Sequence, residues 1–178
     1  HWNVPTVPLP RATGHLHTGS IGAVLQPGAP NVPEALRAAR AVGTVSYDPN
    51  VRPGIMGDLE QVRARVEELV ALSDLVKASE DDLALLYDGW STDEVMAHWV
   101  GLGAAMTVIT LGADGVPFRV ASDPASRTAP TRAGRVVDTV GAGDSFMAGI
   151  ISGLVAARLL GSPAARERLQ GATLEDVH

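Results

Sequence analysis

Apolar positions recur along this chain in two periods, and each period predicts its own kind of element. From residue 142 onward the spacing is helical: Phe146, Ile150 and Leu154 stand one turn apart, with Ile151, Val155 and Leu159 beside them. A turn, Gly141-Ala142-Gly143, precedes that helix, and the apolar pair Val136-Val137 before it reads as the end of a buried strand. Gly149 and Gly153 lie one turn apart inside the helix. Each glycine costs about 1 kcal/mol of helix propensity relative to alanine, so close packing on a sheet is the expected reason for them.

The rest of the chain alternates between the two periods. Residues 13–20 predict a short strand ending in a Gly-Ser turn, and residues 33–42 an alanine- and arginine-rich helix stopped by Gly43. Thr44–Asp48 is a β-branched run ending at a proline, hence a buried strand. Residues 58–72 form an amphipathic pattern with Leu59, Val62, Val66, Leu69 and Val70 on one face, and Leu75-Val76 a short strand after it. Residues 106–115 run a buried strand into a Gly-x-x-Gly turn. Residues 116–120 and 135–137 read as the last strands, joined by a polar stretch, and after Gly161 the tail is a short charged helix at most. Residues 1–13, with Pro5, Pro8 and Pro10, have no period and read as a loop. Strands alternating with helices predict one α/β layered domain with a mostly parallel sheet over residues 1–178.

Composition narrows the function. The 178 residues are 46% hydrophobic, enough for one domain with a core. A formal net charge of −6 argues against a nucleic-acid or anionic-membrane surface. There is no cysteine, so disulfides and thiolate metal sites are excluded and a cytoplasmic setting is expected. Residues 96–113 carry no formal charge over eighteen positions, which meets the length screen for a membrane span. Gly101-Leu102-Gly103 breaks that stretch, so a helix, a turn and a buried strand are the expected reading. His15 and His17 share one face of a strand as metal ligands would, but no carboxylate or third histidine is near in sequence, so ordinary half-buried histidines are expected. Lys77 is the only lysine and no GxxxxGK[ST] occurs, which excludes a P-loop and leaves backbone amides and arginine to hold a nucleotide.

The candidate chemistry sits at the turn before the long helix. A glycine turn that opens a helix aims several N–H groups at one point and adds the helix dipole, which makes an anion site. Asp144 stands at its rim, so a carboxylate and an anion hole face one small volume. A bare Gly-Ala-Gly would more often be structural. The longer run DTVGAGDSF, from Asp138 to Phe146, closely resembles the C-terminal signature of the ribokinase-like (PfkB-type) sugar kinases, particularly bacterial fructokinases. The resemblance implies that Asp144 is the catalytic base and that Gly141, Ala142 and Gly143 form the anion hole. It also implies that Asp138 and Val140 help hold a monovalent cation such as K⁺.

Three further segments resemble motifs of that family. Asp48-Pro49-Asn50-Val51-Arg52 by itself reads as a proline turn beyond a strand, but it resembles the family's D-x-N-x-R, in which Asn50 and Arg52 would reach nucleotide phosphates and sugar. Lys77-Ala78-Ser79-Glu80-Asp81-Asp82 reads locally as a helix cap. It matches the family's K-x-N/S-x-x-E in weakened form, with Asp for Glu, so the resemblance places Ser79 at the nucleotide and Asp82 at a metal-bound water. Thr110, Gly112 and Gly115 read locally as a tight hairpin and match the family's T-x-G-x-x-G nucleotide loop.

The resemblance implies a layered α/β/α fold and an ATP- and Mg²⁺-dependent sugar kinase, with fructose as the expected acceptor and a homodimer allowed. A 2-keto-3-deoxygluconate, other sugar or nucleoside kinase of the same family is the alternative acceptor reading. A non-catalytic nucleotide-binding fragment is the alternative of another class. The glycine-rich sugar-binding signature, the β-sheet lid and the last helices of the family find no counterpart, and the first residue is His1. The expectation is therefore a C-terminal portion of the family's fold, with the N-terminal part and lid missing.

Overall fold

The structure is a computed structural model that describes residues 14–131 and 141–177. The expected loop at 1–13, the strand at 135–137, and Asp138 and Val140 lie outside the described residues. Among the described residues six strands form one sheet in sequence order: β1 (His15–Gly19), β2 (Thr44–Asp48), β3 (Leu75–Ser79), β4 (Met106–Thr110), β5 (Val116–Val120) and β6 (Arg127–Ala129). β1 to β4 are parallel, and β5 and β6 are antiparallel. Register partners at the C-terminal ends are Gly19 with Asp48 and Ser79 with Thr110, so loops after the parallel strands leave along one edge. In open parallel sheets that edge is where ligands bind. β6 lies in the stretch expected to be only polar, because its backbone completes an edge pairing that no apolar pattern records.

Seven helices complete the described layers: α1 (Val32–Val42), α2 (Pro53–Met56), α3 (Leu59–Ala71), α4 (Glu80–Leu86), α5 (Thr92–Leu102), α6 (Ala142–Ala156) and α7 (Pro163–Gln170). One sheet face packs Val45, Tyr47, Val76, Ala78 and Ile109 into a core with Leu36, Val62, Val66, Leu69 and Trp99 from α1, α3 and α5. The other packs Leu75, Met106, Val108, Phe118 and Val120 against Met147 and Leu154 of α6 and Leu169 of α7. This is the layered α/β/α architecture that the resemblance implies, built on the mostly parallel sheet that the sequence pattern predicts. No helix among the described residues is long and apolar enough to cross a membrane; residues 96–113 divide between α5, a turn at Gly103 and β4.

One expectation about α6 is corrected. Alanine at Gly149 or Gly153 would meet nothing within 4 Å, so neither glycine is there for packing on the sheet. Val155 stays exposed, at 44%. The helix is apolar nearly all round, so sequence period alone does not say which residues face the sheet. The charged tail, in contrast, is anchored. Arg166 of α7 donates to Asp74 Oδ1 at 2.9 Å and to the carbonyls of Arg40 and Gly43, and Asp74 Oδ2 accepts from the amide of Val45 at 2.8 Å.

Candidate functional site

Strand alternation puts Thr44, Ser46 and Asp48 of β2 on the same face as Leu75 and Lys77 of β3. That face is apolar under β3 to β5 and polar under β1 and β2. His15 bonds Thr44 Oγ1 and Ser46 Oγ, both at 2.8 Å, and His17 bonds Ser46 Oγ at 2.9 Å. Burial, with the neighbouring His17, lowers His15 to about 4. Desolvation lowers His17 as well, opposed by the nearby Asp144 carboxylate and assisted by Lys77. Asp144 and Lys77 are thus brought to one place from elements far apart in sequence.

The turn residue Gly141 has φ 74 and caps α6 without a side-chain bond. Ala142, Gly143 and Asp144 form the first helical turn, where the amides have no intrahelical acceptor. A Cβ on Gly143 would sit 3.1 Å from Lys77 Nζ, so the buried ammonium lies against the turn. Lys77 in turn pairs with Asp48 Oδ2 at 3.0 Å, while burial raises the Asp48 pKa against the pull of that lysine. Asp144 is exposed on the solvent side of the same turn.

Beyond β2 the loop carries the other candidates. Asn50 has φ 42 and its Nδ2 donates to Ser20 Oγ at 3.3 Å; Ser20 itself has φ 54. Two non-glycine residues in left-handed backbone at adjoining strand ends mark a locally strained crest. Arg52 is exposed, donates to the Val51 carbonyl at 2.9 Å, and makes no ion pair among the described residues. Asp82 is buried and used twice: Oδ1 accepts from the Val51 amide at 2.6 Å, and Oδ2 from the Ser79 amide at 2.8 Å and hydroxyl at 2.7 Å. Ser79 closes the capping box of α4 by accepting from the Asp82 amide.

After β4 the chain turns through Gly112, at φ 59, and Gly115, at φ 102, with the Leu111 amide donating to the Gly115 carbonyl at 3.0 Å. A Cβ at Gly115 would come within 2.8 Å of the Ala129 carbonyl, so that glycine lets β6 close on the turn. Gly112 has open space beside it. A cleft of about 890 Å³ runs from Thr110 and Gly112 across Phe118 to Ala142, Gly143 and Phe146. The structure therefore brings the Thr110–Gly112 segment and the α6 turn to one cleft. It places Asn50, Arg52 and Ser79 on the neighbouring strand ends, outside the cleft lining.

No group of three or more His, Asp or Glu side chains is gathered for a metal among the described residues. Sequence reasoning did not single out Ser20 or the Lys77 ammonium as part of this site. The signal for Lys77 was available: a lone lysine within a strand has to find a buried partner.

A model of the pfkB family carbohydrate kinases matches residues 12–176. The chain is 38% identical over 145 residues to a fructokinase of Rhizobium leguminosarum bv. trifolii, covering 82% of this chain and 44% of that protein. It is 31% identical over 147 residues to a 2-dehydro-3-deoxygluconokinase of Bacillus subtilis, covering 82% and 45%. A Vibrio cholerae O395 fructokinase double mutant, in its fructose-, ADP- and potassium-bound form, superposes with a TM-score of 0.79 at 26% identity, over 98% of this chain and 55% of that one. The chain thus spans about half the length of the relatives it matches.

Proposed function

We propose that this chain, which belongs to the pfkB family of carbohydrate kinases, binds ATP and carries the phosphoryl-transfer residues of a sugar kinase whose acceptor is fructose. The observation that carries the reading is the cleft that joins Thr110 and Gly112 at one end to the Ala142-Gly143 helix start at the other. Its apolar wall at Phe118 and Phe146 suits a base, and the free amides of the first turn of α6 suit phosphate. Fructose is the acceptor in the Rhizobium and Vibrio relatives by name.

In the proposed reaction a sugar hydroxyl oxygen bonds to the γ-phosphorus, the bond to the ADP oxygen breaks, and Asp144 takes the hydroxyl proton. The helix start favours an ionised carboxylate, and a loose transition state needs little proton removal early. The amides of Gly141, Ala142 and Gly143 stabilise charge on the transferred group, a contribution often worth about 3 kcal/mol per donor. Arg52 and Asn50 approach the phosphates from the β2 loop, and Ser79 lies on the next strand end. Mg²⁺ would supply charge neutralisation on the phosphates, held there through water, since the described residues gather no ligand cluster. K⁺ would fall to Asp138 and Val140, which lie outside the described residues.

The Bacillus relative favours a second acceptor, 2-dehydro-3-deoxygluconate. Calorimetric titration with ADP and with each sugar, alongside a coupled ATP-dependent assay, tests the reading. ADP binding with fructose turnover supports it. ADP binding without any sugar binding points to a nucleotide-binding fragment, and no ADP binding overturns it.

A further inference from the structure

Asp82 is 3% exposed, and its two oxygens serve two segments that are distant in sequence. One oxygen holds the start of α4 through Ser79; the other takes the amide of Val51, between Asn50 and Arg52, at 2.6 Å. A carboxylate accepting from backbone N–H groups makes strong, short bonds and fixes the donor's position. Through it, the loop after β2 is tied to the end of β3. Among the described residues, the Arg52 side chain is anchored only to the carbonyl of the residue before it. Its direction is therefore set by the backbone that Asp82 holds.

We propose that Asp82 is a positioning residue that aims Arg52 and Asn50 at the bound phosphates, acting through the Val51 amide. The inference rests on the phosphate-binding role given to Arg52 above. Both oxygens accept from protein donors, Oδ1 from Val51 and Oδ2 from Ser79, so the carboxylate braces the loop against the end of β3.

The test is a double-mutant cycle on ADP affinity, using Asp82→Ala, Arg52→Ala and the double variant, with adenosine as the ligand that lacks phosphates. Asp82→Ala is expected to weaken ADP about tenfold, to leave adenosine unchanged, and to leave the Mg²⁺ dependence of ADP binding unchanged. In the Arg52→Ala background it should cost less than in the unaltered chain, the remainder being the share of Asn50, because coupled residues are not additive. Losses that add in full, or a changed Mg²⁺ dependence, overturn the proposal. Amide hydrogen exchange at Val51 separates this from the kinase reading: it should speed up in Asp82→Ala whether or not ADP binds. Unchanged exchange at Val51 sinks the brace, whereas absent ADP binding in the unaltered chain sinks the nucleotide reading. If Asp82→Ala does not fold, Asp82→Asn is read by the same cycle and the same amide.

Discussion

Lys77 Nζ lies 3.0 Å from Asp48 Oδ2, with both side chains buried and the ammonium against Gly143 of the α6 turn. Removing one member leaves an uncompensated buried charge, whereas removing both leaves an apolar gap that can repack. Lys77→Met is expected to destabilise the fold by about 3–5 kcal/mol. Lys77→Met with Asp48→Leu should recover most of that loss in urea denaturation. A double variant as unstable as the single would show that the pair does more than balance its own charges.

Gly141 combines φ 74 with open space beside it. Gly141→Ala should therefore cost about 1–2 kcal/mol through backbone conformation alone. Gly143→Ala differs, because the new Cβ meets the flexible end of Lys77 at 3.1 Å. It should displace the ammonium and weaken ADP more than it weakens the fold. Thermal melts and ADP titrations of the two variants distinguish these outcomes.

Asp144 is exposed at the start of α6 and makes no contribution to the core. Asp144→Asn is expected to lower turnover about 10²–10⁴-fold in an enzyme that carries this chain, with ADP affinity little changed. Wild-type kcat in that variant would remove Asp144 from the base role.

His15 titrates near 4 in the fold against an ordinary value of 6.5, because burial and His17 disfavour its charged form. The unfolded chain therefore binds the proton first as pH falls. Stability is fully present above pH 6.5 and is lost progressively between 6.5 and about 4. Its ring is partly exposed, so the loss is on the order of 1–2 kcal/mol after allowing for solvent screening. Urea midpoints across that range should show the slope in the unaltered chain and a shallower one in His15→Asn. His17, shifted the same way, accounts for what slope remains.

Breaking the tail's anchor should be felt in the core. Arg166→Ala removes a guanidinium bonded to the fully buried Asp74, leaving Arg40 at 3.4 Å as the remaining cation. The expected cost is about 2–4 kcal/mol by denaturant unfolding. A cost near zero would show that Arg40 alone neutralises Asp74.

The sequence by itself determined the alternation of strands and helices, the buried run Thr44–Asp48, and the helix α3 with Val62, Val66, Leu69 and Val70 inside. It also located the glycine turn at Gly141 and the segment Thr110–Gly112, because those signals are local: periodicity, caps and conformational freedom within a few residues. Only the tertiary structure decided which side of α6 meets the sheet, since an apolar helix offers no moment to read, and its Gly149 and Gly153 proved to face open space. It alone brought Lys77 under Gly143 and tied Asp82 to Val51 across 31 positions of sequence. Those contacts depend on parallel strands ending along one edge, and strand order is a long-range property that no local pattern encodes.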